Sequence, residues 1–153
     1  MVQFDLAWMI WLVLGLVAAV WLVGGYLFSA GGRWRDRDRI VELSQFGPWV
    51  WGRCIVPGGV QRYWGKIWFG DLILTRRDFG KEHLQTLGFS EMQAQAVEGE
   101  IMVRLKLKSE KGVLRGHLWG TRFQFNPRTQ EVISVKATAP EEREWVRVES
   151  ISS

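Results

Sequence analysis

From Leu6 to Phe28 the chain reads LAWMIWLVLGLVAAVWLVGGYLF, twenty-three residues whose only ionisable group is the Tyr26 hydroxyl. As an α-helix this run spans roughly 35 Å, against a bilayer hydrocarbon core of about 30 Å. A helix bonds all its own amides, so it can cross lipid without a neighbour. The expectation is one transmembrane helix over 6–28 behind a short non-cytoplasmic N-terminus, 1–5. Trp8 and Trp11 near one end and Tyr26 near the other suit the two headgroup zones, while Trp21 lies deeper. A cleaved signal peptide needs a basic start and a shorter apolar run; MVQFD carries only Asp5, so the helix is expected to be retained.

Directly after this run stands GGRWRDRDRI, with Arg33, Arg35, Arg37 and Arg39 inside seven residues and no Lys or Arg ahead of it. The positive-inside rule then places the N-terminus outside and the remainder in the cytoplasm, at a cell (inner) membrane. Asp36 and Asp38 alter this little, since acidic residues count for little in that rule. The four arginines also suit anionic headgroups, at about 1 kcal/mol each near the surface. Residues 29–46 are expected to form a basic juxtamembrane linker. Gly15 with Ala19, and Gly25 with Ser29, are small-residue pairs four apart, a spacing that lets a second membrane helix approach closely. Cys54 is the sole cysteine, which excludes an intrachain disulfide and agrees with a reducing compartment.

Beyond residue 47 the pattern changes to alternation. In GEIMVRLKLK, Ile101, Val103, Leu105 and Leu107 share one side and Met102, Arg104, Lys106 and Lys108 the other, the period of a half-buried strand. SEKG at 109–112 is a turn into VLRGHLWG, and NPRT at 126–129 joins 121–125 to 131–137. Upstream, PWVWGRCIV, QRYWGKIWF and DLILTRR supply three more strands, divided by Pro57-Gly58-Gly59 and Gly70-Asp71. The expected fold over 47–151 is an all-β antiparallel barrel or sandwich of about six to seven strands. Within it, LQTLGFSEMQAQAV at 84–97 predicts a short helical insertion, with Ser90 and Gln93 as a capping-box pair. Near Pro140 a final short helix or strand begins.

Catalytic signatures are missing from the sequence. His83 and His117, the two histidines, have no cysteine or carboxylate at the usual metal-ligand spacings. GVQRYWGK at 59–66 fails as a phosphate-binding loop because Ile67 stands where a hydroxyl is needed. No G-x-S-x-G elbow occurs, and Cys54 lies inside a strand. The reading is therefore a non-enzyme without cofactor, and a net charge of +4 with no basic stripe argues against nucleic acid.

Two short resemblances remain. The R-x-x-x-R spacings at 33–37 and 35–39, followed by ELSQFG at 42–47, resemble the two signatures of PilZ domains, with Glu42 where that family carries Asp or Asn. The resemblance implies a membrane-tethered barrel that clasps an anionic nucleotide such as cyclic di-GMP through the arginines. LGF at 87–89 resembles the turn of ubiquitin-associated three-helix modules, over 14 residues in all.

Ten tryptophans are the strongest compositional signal. Trp49 and Trp51 share a strand face, as do Trp64 and Trp68. With Phe69, Trp119, Phe123 and Phe125 they exceed what a small barrel needs to bury. Most are expected in the core, and the rest of Trp49, Trp51, Trp64, Trp68 and Trp119 on a surface for a partner. The expected role is an accessory or scaffolding subunit whose partners are the bilayer and other subunits of an integral membrane complex.

Overall fold

The structure is a computed structural model that describes residues 6–149, without the side chains of 22 and 24–27. The chain opens with helix α1, Leu6–Leu27, and continues through nine strands: β1 Gly32–Asp36, β2 Arg39–Phe46, β3 Trp49–Val56, β4 Gly59–Trp68, β5 Asp71–Phe79, β6 Ile101–Glu110, β7 Val113–Phe125, β8 Val132–Ala137 and β9 Glu141–Arg147. Two short helices, α2 Lys81–Thr86 and α3 Glu91–Val97, separate β5 from β6.

Each strand from β1 to β7 pairs antiparallel with the next, and β9 lies between β7 and β1, so eight strands close a barrel. The barrel, rather than the sandwich, is thus the architecture. The β1–β9 seam is short, with Trp34 opposite Arg147 and Arg35 opposite Val146. The Val148 amide extends it by donating to the Arg33 carbonyl at 2.9 Å. β8 and β9 both run antiparallel to β7, and the interruption between them falls at Pro140, which has no amide to give to the ladder. Thr121–Phe125, expected as a separate strand, is the far half of β7.

The stretch 29–46, expected as a linker, supplies β1 and β2. Its arginines alternate with Trp34, which is fully buried, so one apolar residue in GRWRD suffices to seat the strand. Strand count rises accordingly above the six or seven expected.

Inside the barrel, alternate residues form one core: Trp34, Val41, Leu43, Val50, Tyr63, Leu72, Leu74, Leu105, Leu107, Leu114 and Trp145 among them. Tyr63 meets Trp145 edge to face, ring centroids 5.6 Å apart. Gly65 and Gly116 also point inward, where a Cβ would lie 1.8 Å from the Ile73 carbonyl oxygen and 2.0 Å from that of Lys106. They mark places where strands bend tightly enough to close a small barrel.

The two barrel ends differ. One end holds the exit of α1, the β2–β3 turn, the β4–β5 turn and the β6–β7 turn. The other is closed by α2 and α3, which bury His83, Leu84, Ala94 and Val97. The Ser90–Gln93 capping box is present. The outer halves of β7 and β8 extend past that end, where Phe89 packs edge-on against Phe123 and Phe125.

Along α1 the large apolar residues from Leu6 to Val23 that face solvent are 52% to 74% exposed, and none leans on the barrel until Trp21. Among the described residues no helix is long and apolar enough to cross a membrane; the unbroken run of α1 with described side chains is 6–21.

Candidate functional site

The connection between helix and barrel is only four residues, Phe28–Gly31, and it is held from three strands. The Gln45 side chain of β2 accepts from the Ala30 amide at 2.7 Å and donates to the carbonyls of Phe28 and Gly47, each at 2.9 Å. From β1, the Trp34 indole donates to the Ala30 carbonyl at 2.8 Å. Arg147 of β9 donates to the carbonyls of Ser29 and Gly31 at 2.9 and 3.0 Å while its guanidinium lies over the Trp34 ring. Five bonds and a buried Ala30 hold the stretch expected as the start of a linker, so α1 and the barrel meet as a fixed joint.

The tryptophans take places opposite to the expectation that most would be core. Trp49 and Trp51 of β3, and Trp64 and Trp68 of β4, all point outward and are 40% to 58% exposed. Trp64 stacks on both Trp49 and Trp51, with centroids 6.3 Å apart in each case. The four form a stripe down the outer wall that ends at the helix-exit end, where Phe46 and Phe69 continue it. The buried tryptophans are Trp34 and Trp145. Trp119 is half-buried on the outer wall of β7, across from Arg104 and beside His117, four strands from β3 and outside the stripe.

The arginine run is likewise relocated. β1 leads away from α1, so Arg33 starts near the helix-exit end while Arg37 lies at the opposite turn, roughly 13 Å further at 3.3 Å per residue. Arg37 and Arg39 are therefore not beside α1. Arg33, Arg39 and Arg53 line a shallow outer groove of about 520 Å³. Glu42 stands between Arg33 and Arg53 at 3.8 and 3.6 Å, filling the position an anionic ligand would take.

On α1, Gly15, Ala19, Trp8 and Trp11 are exposed, as is Ser29 at the exit. Beyond their helical backbone, Gly25 and Tyr26 lie outside the described residues.

A buried polar cluster near the α2 end has no counterpart in the sequence reading. Asp78 of β5 is wholly buried and accepts from Arg76 Nε at 2.8 Å and Nη2 at 3.2 Å, from Gln61 Nε2 at 3.1 Å and from His83 Nε2 at 2.9 Å. The spacing of Asp78 and His83, five residues apart across a strand-to-helix turn, was the available signal. No group of three or more metal-ligating side chains occurs among the described residues.

Close by, burial pushes the Cys54 thiol above its ordinary 9.0 and drives the Tyr63 phenol well above its ordinary 10.0; Arg39 and Arg76 oppose the first shift and Arg76 the second, without overcoming burial. A thiol held protonated is a weak nucleophile. The sign for stability follows: the unfolded chain gives up these protons first, so the fold is fully stabilised below pH 9 and loses stability as pH rises through and beyond 10. In chemical denaturation from pH 8 to 11, stability should fall by up to about 1.4 kcal/mol per pH unit for each group past its ordinary value. Tyr63→Phe should flatten that fall; an identical slope in both proteins would refute the assignment.

Comparison with known proteins leaves the chain without a match: no family model, no curated protein and no solved structure aligns with it.

Proposed function

We propose that the chain is a non-catalytic, single-pass membrane protein in which α1 stays in the bilayer and the barrel lies on the cytoplasmic side, serving as an accessory or scaffolding subunit of a larger membrane complex. The observation that carries this reading is the pair of unpartnered apolar surfaces fixed to one rigid joint. α1 is apolar on every side and its described side chains stand free of the barrel as far as Val20, and Trp49, Trp51 and Trp64 stand stacked and exposed on the barrel wall. A helix that is apolar all round is a buried helix, and its cover here is lipid or another helix. Stacked, pre-ordered tryptophans lose little entropy on contact and are the commonest anchors of protein interfaces. The uncharged run 6–28 and the arginines after it support the membrane location and the orientation.

A photo-reactive amino acid at position 64 of the full chain in native membranes tests the reading. The expected result is a discrete adduct with an integral membrane protein, absent when the label stands at Glu144 on the far wall and lost with Trp49→Ser and Trp51→Ser. A lone monomer in mild detergent with no adduct at 64 would overturn the subunit role, and a C-terminal reporter found on the outer side would overturn the orientation.

A further inference from the structure

We infer that the helix-exit end of the barrel is itself a bilayer-seating surface, with Phe46, Trp49, Trp68 and Phe69 at the headgroup boundary and phospholipid filling the groove between them and α1. This rests on the proposal that α1 is a membrane anchor. Two turns on that end carry these four aromatics, exposed by 67%, 45%, 56% and 91% respectively. Phe69 is the most informative. It occupies the tip of the β4–β5 hairpin with φ of 47°, followed by Gly70 at 80°, a two-residue turn that favours Asn-Gly. A bulky aromatic there meets an unfavourable backbone region and leaves its ring in water, two costs that a soluble turn avoids by using a small polar residue. Contact with an apolar medium offsets both.

The groove behind these residues has a volume of about 630 Å³ and is lined by Val20, Trp21 and Phe28 on one side and by Trp49, Ile67 and Trp68 on the other. Among the described residues Lys66 is the one cation in its lining, its ammonium 4.8 Å from the Trp68 ring centroid. An acyl chain beside α1 with its phosphate at Lys66 satisfies both the apolar walls and that charge. The surface is continuous with the apolar face of α1, which selects lipid over a soluble partner. The third turn of the same end is polar, with Ser109, Glu110 and Lys111 exposed. The barrel therefore leans, its β3–β5 side lower than its β6–β7 side, in a pose the fixed joint maintains.

Spin labels on single cysteines in a Cys54→Ala background test this, using the full chain in nanodiscs of phosphatidylethanolamine and phosphatidylglycerol. Phe69→Cys should show several-fold less collision with a water-soluble nickel chelate than Lys111→Cys, and clear relaxation by oxygen, with Val13→Cys on α1 showing the lipid signature in full. If 13 is in lipid while 69 is as open to nickel as 111, the seating inference fails and the anchor stands. If 13 lacks the lipid signature, the anchor fails and the inference with it. Shielding of 69 from both reagents would mean a protein covers the rim, which also overturns it.

Discussion

Gly65→Ala should abolish the native barrel or cost it several kcal/mol, because among the described glycines it brings a new Cβ nearest to a backbone atom. The Cβ would stand 1.8 Å from the Ile73 carbonyl oxygen and 2.8 Å from its carbon. Those are backbone atoms of the paired strand β5, in register with β4 through Gly65 opposite Leu74. A flexible side chain could swing aside, but a ladder carbonyl cannot move without breaking its own hydrogen bonds. Overpacking in cores costs about 1–3 kcal/mol where side chains can adjust, and more where they cannot. Gly112→Ala separates this clash from backbone strain: Gly112 has φ of 81° and nothing within 4 Å of a Cβ, so its loss should stay at about 1–2 kcal/mol. Denaturant titration of both variants decides the matter. Equal losses at 65 and 112 would mean that the close approach of β4 and β5 does not hold in solution.

The inward direction of Gly65 was readable, though not from the glycine. In β4 the residues Arg62, Trp64, Lys66 and Trp68 share one parity and Gln61, Tyr63, Gly65 and Ile67 the other. Two charges on the tryptophan side identify it as outward, and Arg53 on the parity of Trp49 and Trp51 does the same for β3. Hydrophobicity alone favours the opposite assignment, because tryptophan is the larger apolar payload. The charges settle it, since an unpaired arginine inside a closed barrel costs more than an exposed indole.

Strands from β3 to β7 were legible through alternation and turn residues, and α3 through its capping box. β1 was not, because four arginines in seven residues outweigh one tryptophan in any local window. Only the closure with β9 makes Trp34 a core residue, and that pairing joins positions more than a hundred residues apart. The fixed joint was hidden for the same reason: Gln45 and Arg147 reach Phe28–Gly31 from remote strands. The aromatic surface was partly legible. Trp49, Trp51, Trp64 and Trp68 were identified as candidates, but their stacking and the exclusion of Trp119 depend on which strands are neighbours around the barrel.

The Asp78 cluster illustrates what three-dimensional closure adds, and it gives the second large expected effect. Asp78→Ala should cost about 3–5 kcal/mol, the range for breaking a buried ion pair by removing one partner. Asp78 is fully buried, and its partners His83 and Arg76 have side chains only 4% and 16% exposed. Removing the carboxylate strands the donors of Arg76, His83 and Gln61 where water cannot easily replace it. A domain of this size holds about 5–15 kcal/mol in total, so the variant should sit near the edge of folding at 25 °C. Asp78→Asn keeps one acceptor but turns an amide N–H₂ toward existing donors, so it should recover only part of the loss. The loss should also be uneven. His83 is the side chain through which α2 reaches Asp78, whereas the neighbouring barrel strands keep their ladders. Hydrogen exchange should therefore rise first across 81–97, ahead of β3 and β4. Asp78→Ala with stability within about 1 kcal/mol of the parent, or with exchange rising evenly over the barrel, would show that the cluster is no brace for the helical cap.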